Sequence, residues 1–304
     1  MTDLVLHHYN ESPYAEKIRT LMGYKGLSWH SVIVPRIAPK PDLTELTGGY
    51  RKVPVLQIGA DIYCDTRLIL QVIDGLNPLP GLQTTPGTFS EVVEHWVDVN
   101  LFGRAVAYTF GRNVDRLPDV FLADRAALRG APLDREALKQ AVPLAEQELV
   151  THMQWLEHGL AGGQPFVNGG HPGSGDFNLY ATLWFAQQGR FDFSAFPCVS
   201  AWLARMQAFG HGVRQEMTAE DALALAANSQ PQTLPEGGTS ADPSGVQVGQ
   251  SVRVTPEQLG HGTSVMGELL RIDPQQLTVR VQSPRCGTLH VHLPRVGYRV
   301  RPAA

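Results

Sequence analysis

The chain has 304 residues, 43% of them hydrophobic and 18% charged, with a formal net charge of −4. That is the composition of a globular protein of two or three domains with room for a substantial core, and the charge predicts no nucleic-acid or membrane partner for the whole chain. Its three cysteines, Cys64, Cys198 and Cys286, are odd in number and far apart, which argues against a disulfide framework and for a reducing, cytoplasmic compartment.

Met1-Thr2-Asp3 leads straight into an apolar strand, Leu4-Val5-Leu6, so no signal peptide is expected, and no apolar run is long enough to span a membrane. A helix follows, with Tyr14, Ile18, Leu21 and Met22 on one face. Ser12-Pro13 starts it: serine is a favoured N-cap, and proline at the first helical position gives up an N–H that has no partner anyway. Lys25-Gly26 ends it with a cation in the last turn and a residue free to take positive φ. Capping explains Ser12 fully. The same hydroxyl nevertheless keeps its proton for a ligand, at the positive end of a helix dipole that suits an anion.

Trp29–Val34 predicts a second strand, stopped by Pro35, and a short helix is expected near Asp42–Leu46 before a turn at Gly48-Gly49. Val53–Ile58 and Asp61–Cys64 predict two strands about a Gly59-Ala60 turn, and Asp65-Thr66 opens a helix that buries Leu68, Ile69, Val72 and Ile73. Pro54 inside an apolar run is odd, because proline cannot donate to a sheet; it belongs at an edge or bulge, or on a cis bond. An edge-strand proline and an exposed backbone edge for a ligand are both open here.

In this order, Ser12-Pro13, Lys25-Gly26-Leu27, Lys52-Val53-Pro54-Val55-Leu56 and Cys64-Asp65-Thr66-Arg67 resemble the amino-terminal, thioredoxin-like domain of the glutathione S-transferases. Each motif is weak alone; the ordered set is specific. The resemblance implies a thioredoxin-like domain over 1–78 with a cis-proline at Pro54, then an all-helical domain over 86–228. Pro78–Pro80 and Thr84–Gly87 would link them. Helical spacing does recur over Ser90–Phe102, near Leu149–Leu160 after Pro143, from Asp176, near Val199–Met206 and over Thr218–Ala227. One departure is Gly173, where the family has a capping Ser or Thr three residues before the helix-opening Asp176.

From Asn228 to Gly245 the composition turns to Ser, Gln, Pro, Gly and Thr, a flexible linker predicted to carry few crossing contacts. Five short alternating segments over 246–302 then predict a small all-β, barrel-like domain outside the resemblance. It carries seven arginines, no lysine and three acids, a net +4 against −8 for 1–245. That surplus suits nucleic acid or an acidic partner, a solvated face, or docking against the acidic remainder.

Glutathione is an anionic γ-Glu-Cys-Gly tripeptide whose thiol must become a thiolate to act as a nucleophile. A free cysteine thiol has a pKa of about 8.5, lowered at a helix N-terminus with hydrogen-bond donors. The resemblance implies that Ser12 donates to the sulfur and that the backbone of Val53, beside Pro54, pairs with the cysteinyl unit. It implies Asp65 for the γ-glutamyl ammonium, Thr66 for its carboxylate, and Lys40 or Lys52 for the glycine carboxylate. Tyr9 is an alternative thiolate donor, and Tyr14, Trp96, Tyr108 and Phe110 are candidates for the electrophile pocket or for core. Thiol–disulfide exchange is disfavoured, since Ser12 and Ala15 stand where that chemistry needs cysteine. No metal site is expected: His290 and His292 share a strand face without a third ligand, the pattern of a surface pair. The expected activity is therefore joining glutathione to a small electrophile, in a homodimer as the family forms. The alternative is a non-catalytic member of the fold using the β domain for recognition.

Overall fold

The computed structural model describes residues 3–82, 89–235, 242–260 and 262–303. Thr84–Gly87 of the first linker, and 236–241 of the second, lie outside the described residues. The chain begins β1 (Val5–His8), α1 (Pro13–Tyr24), β2 (Ser28–Ile33), α2 (Pro41–Thr47), β3 (Val55–Ile58), β4 (Asp61–Cys64) and α3 (Thr66–Leu76). β1 runs parallel to β2 and antiparallel to β3, and β3 antiparallel to β4, the thioredoxin-like arrangement. Gly26 takes φ 63 after the Lys25 cap, as the Lys25-Gly26 signal predicts.

The helical region holds α4 (Ser90–Trp96), a π turn (Val97–Leu101), α5 (Phe102–Asn113), α6 (Asp119–Arg129), α7 (Arg135–Gln140), α8 (Val142–Leu160), α9 (Ser174–Gln188) and α10 (Pro197–Gln207). The π turn interrupts what the spacing predicts as one helix; such bulges recur at functional sites. Pro143 sits in the first turn of α8, where proline is tolerated. At α9 the missing cap is supplied from outside. Ser90 Oγ accepts from Gly175 N at 3.0 Å and occupies the space a side chain on Gly173 would need. Asp176 accepts from Gly173 N at 3.1 Å.

After α10 the chain returns as β5 (Val213–Glu216), an unforeseen edge strand parallel to β2, and α11 (Ala219–Ala227). β6 (Ser251–Pro256), β7 (Val265–Ile272), β8 (Gln276–Ser283), β9 (Gly287–Pro294) and β10 (Tyr298–Pro302) form an antiparallel run in which the last strand pairs with the first. This β-rich region does not hang from its linker. β9 pairs in parallel with β4, Asp61 facing His290 and Tyr63 facing His292. One sheet thus runs β10-β6-β7-β8-β9-β4-β3-β1-β2-β5.

The core follows from that sheet. Leu4, just before β1, and Leu6 on it enter a core shared with α1, α3 and the helical region, while Val5 faces the other way. Val5, Val32, Val55 and Ile62 join Leu43, Leu46, Leu223, Val252, Leu269, Val279, Leu289 and Val291 in a second continuous core. Both faces of the central strands are therefore apolar, as buried strands require. At the seam Asp61 is 1% exposed and accepts from His292 Nε2 at 2.8 Å and from Gln232 N at 2.8 Å. Thr278 Oγ1 lies 3.0 Å from His292 Nδ1, and Tyr63 stacks on the ring with centroids 4.5 Å apart. His292 is buried, a correction to the expected surface pair: its ring fastens β9 to β4 within the one sheet. Arginines of the β region also meet acids of the remainder, Arg285 reaching Asp42 at 2.6 Å and Glu220 at 2.5 Å.

The expectation of few crossing contacts fails for a physical reason: linker composition reports on the linker, while contacts are set by which strand edges pair. A fragment ending at residue 235 would uncover the β4 edge and half of the second core. It is expected to be insoluble or to melt without cooperativity, measured by calorimetry against the full chain. A cooperative transition at the full-length temperature would contradict the shared core.

Candidate functional site

Strand register gathers the predicted residues. His7 faces Val55, and Val55 faces Cys64. The segments just beyond those residues, the Tyr9–Ser12 turn, Val53-Pro54 and Asp65, therefore meet at one end of the sheet. Ser12 is the N-cap of α1, with φ −77 and ψ 120, and its Oγ accepts from Ala15 N at 3.2 Å. It is 2% exposed, and among the described residues its own proton goes to no acceptor. The Val53–Pro54 bond is cis, as the resemblance implies, and β3 begins only after it, so Pro54 occupies no ladder position that needs an N–H.

Asp65 caps α3 with φ 78 and ψ 133, a backbone conformation costly for a residue with a side chain. Its Oδ1 accepts from Arg67 N at 3.0 Å, and its Oδ2 accepts from Tyr298 Oη at 2.9 Å. Thr66 Oγ1 accepts from Lys17 Nζ at 3.2 Å, and Lys17 is paired to Glu94 at 2.6 Å with both side chains buried. Burial pushes the Glu94 carboxyl up, but the charge and hydrogen bond of Lys17, with Arg67 and Ser174, together hold Glu94 below the usual range. Asp98, in the π turn, is pushed up by burial; it accepts from Tyr14 Oη at 3.3 Å and from Asn178 Nδ2 at 3.0 Å. Burial and Asp98 keep the Tyr14 phenol protonated well beyond its ordinary range.

The other flank is basic. Lys40 Nζ lies 5.5 Å from the Tyr9 ring centroid, and Arg125 Nη2 donates to Tyr9 Oη at 3.3 Å. Arg51 and Arg125 both donate to Asp124, at 2.8 and 2.9 Å. Lys40 is 6% exposed. Burial, with Arg125 and Arg51 close by, pulls its pKa down to about 8. Three cations thus face one carboxylate beside the Ser12 turn, an arrangement suited to an anion.

The remaining predicted residues are placed as follows. Lys52 Nζ donates to Gln258 O at 2.8 Å, and Val53 is half-buried beside it. Tyr14 packs on Phe102 with centroids 4.7 Å apart. Trp96 packs edge-on to His152, Tyr108 edge-on to Phe191 within the helical core, and Phe110 between Phe121 and Phe185. Sequence reasoning missed Tyr50, Arg51, Asp124, Arg125, Gln258 and Tyr298. No local signal marks them, because they reach the site through tertiary contacts rather than local spacing.

Residues 6–81 match the family model of the glutathione S-transferase N-terminal domain, and residues 137–205 that of the C-terminal domain. Among solved structures, a GST-like protein from Pseudomonas syringae is 36% identical, covers 100% of both chains and superposes with a TM-score of 0.82. A glutathione S-transferase from Rhodospirillum rubrum is 18% identical over 67% of this chain and 88% of its own, with a TM-score of 0.54. A Tau class glutathione S-transferase from mango, Mangifera indica, is 17% identical over 72% of this chain and 92% of its own, TM-score 0.51. These last two share the fold alone. No curated protein matches the chain.

A lysine with a pKa near 8 makes a pH-dependent anion site. If Lys40 receives the glycine carboxylate, affinity for S-methylglutathione, which has no thiol to titrate, should be full below about pH 7 and fall as the free ammonium deprotonates toward pH 9. Lys40→Arg should flatten that profile, since guanidinium stays charged, and Lys40→Met should bind weakly throughout. Titration calorimetry across this range checks it; a wild-type slope no steeper than that of Lys40→Met would remove Lys40 from the site.

Proposed function

We propose, from the premise that the chain belongs to the glutathione S-transferase family, that it is a serine-type glutathione transferase. The observation that carries the reading is the Ser12 hydroxyl, held at the first turn of α1 by its bond from Ala15 N, its own proton given to no acceptor among the described residues. In this reading that proton is donated to the glutathione sulfur, and the α1 dipole favours the same negative charge. The thiol then loses its proton to solvent near neutral pH, and the resulting thiolate attacks the electrophilic carbon. A C–S bond forms as the leaving group departs or the adduct takes a proton from water.

The tripeptide lies along the end of the sheet. Val53 offers its main chain to the cysteinyl unit as an added strand would. Asp65 receives the γ-glutamyl ammonium, and Thr66 with the first N–H groups of α3 receives its carboxylate. Lys40 or Lys52 meets the glycine carboxylate. Tyr14, beside the Ser12 turn, borders the electrophile, with Trp96, Tyr108 and Phe110 as the further candidates. The family's homodimer and a cytoplasmic location belong to the same reading.

Ser12→Ala removes a hydrogen bond to a charged sulfur, a type of bond that contributes about 1.5–3 kcal/mol, so conjugation of a model aryl halide at neutral pH should fall about tenfold or more. The same change removes a helix cap, costing about 1 kcal/mol of stability. Ser12→Gly separates the two effects: it lacks the hydroxyl yet costs less as a cap, so it should lose activity like alanine while melting closer to wild type. The bound-thiol pKa, followed by thiolate absorbance, should rise in both. Unchanged turnover and thiol pKa in both variants would reduce Ser12 to a cap and pass the role to Tyr9.

A further inference from the structure

Asp65 has an unusual set of partners. Both carboxylate oxygens are engaged, Oδ1 by Arg67 N at 3.0 Å and Oδ2 by Tyr298 Oη at 2.9 Å. Both donors are neutral. Lys52 is near enough for Asp65 to favour its charged form, but its ammonium donates elsewhere, to Gln258 O at 2.8 Å. Among the described residues no cation is paired with Asp65. A carboxylate oriented by neutral donors keeps its charge for a ligand, whereas an arginine in place of Tyr298 would neutralise it.

Tyr298 is well built for that task. It is 4% exposed, and burial with the Asp65 charge holds its phenol protonated. Its one proton goes to Asp65, so Tyr50 must donate to the Tyr298 oxygen, 3.2 Å away. Topology explains its arrival. β9 runs parallel to β4 and ends at the Asp65 end of the sheet. The turn after it delivers Tyr298 as the first residue of β10, paired with Pro256. The segment after Pro256 reaches the same place: Gln258 takes the Lys52 ammonium. A Cβ built on Gly49 would lie 2.5 Å from Ser264 O, so only glycine lets the two backbones approach.

We propose that the C-terminal strands form one wall of the γ-glutamyl subsite, with Tyr298 as a positioning residue that fixes the Asp65 carboxylate to receive the ligand's ammonium. This rests on the glutathione reading above. A carboxylate held on both oxygens presents its free lone pairs in one direction, and the ligand need not order it on binding.

The test is calorimetric titration of the full chain with two probes, glutathione and its deaminated analogue glutaryl-cysteinylglycine. Wild type should prefer glutathione by about tenfold or more, the effect expected when a charged hydrogen-bond partner is removed. Tyr298→Phe, which deletes one oxygen, should weaken glutathione about fivefold or more, with a matching rise in its KM, and leave the analogue within about twofold. Tyr50→Phe removes the neighbouring hydroxyl but keeps the Asp65 bond, and should preserve the wild-type preference. Equal weakening of both probes in Tyr298→Phe, no weakening of either, or a lost preference in Tyr50→Phe would each assign Tyr298 to packing and overturn the inference. Binding of neither probe by wild type would instead overturn the glutathione reading, and this inference with it.

Discussion

Strand β4 is hydrogen-bonded on both edges, and that double pairing is the constraint on which the rest depends. β3 holds one side and β9 the other, with the buried Asp61 carboxylate and the His292 ring locking the second register. A one-residue slip would turn every side chain of β9 to the opposite face and separate Asp61 from its partner. Such a buried pair is costly to break, because the group left behind has neither water nor partner. The register fixed there determines where β4 ends, and so where Asp65 stands and which residues of the β region can touch it.

From that frame the charges divide. Around Tyr9, Lys40, Arg51 and Arg125 outnumber Asp124. Around Tyr14, Asp65, Asp98 and Glu94 outnumber Lys17. Ser12 lies between, on the turn that joins Tyr9 to Tyr14. A ligand with an ammonium at one end, a carboxylate at the other and a thiol between them would meet opposite charge at both ends. Glutathione carries its ammonium, thiol and glycine carboxylate in that order, with the γ-glutamyl carboxylate left to Thr66, so the division supports the proposed ligand. The division also explains the depressed Lys40: it is buried, and two guanidinium groups beside it oppose a third positive charge.

Much of the candidate site's local geometry was legible because its signals are local. Ser12-Pro13 caps its own helix, Asp65 caps its own helix, and Pro54 declares a backbone position outside the ladder; each lies within a few residues of its cause. The five C-terminal strands were legible from alternation alone. What alternation lacks is the identity of the neighbouring strand, so the β9–β4 pairing and the edge strand β5 went unforeseen. Tyr298 is 233 residues from Asp65, and nothing near it marks it as part of a site. The helix α6, which brings Asp124 and Arg125, sits with α7 in a stretch whose short apolar spacing gave no helical pattern. The π turn at Val97–Leu101 is equally silent, since its residues continue the helical period on either side.

Amide hydrogen exchange of the full chain, with and without saturating glutathione, tests the central claim most directly: one ligand touches both the thioredoxin loops and the C-terminal wall. The account predicts slower exchange at Ser12–Ala15, near Val53 and at Asp65–Leu68, together with slowing around Gln258 and Tyr298. Unchanged exchange under saturating ligand, either at the Ser12 and Asp65 segments or around Gln258 and Tyr298, would contradict it.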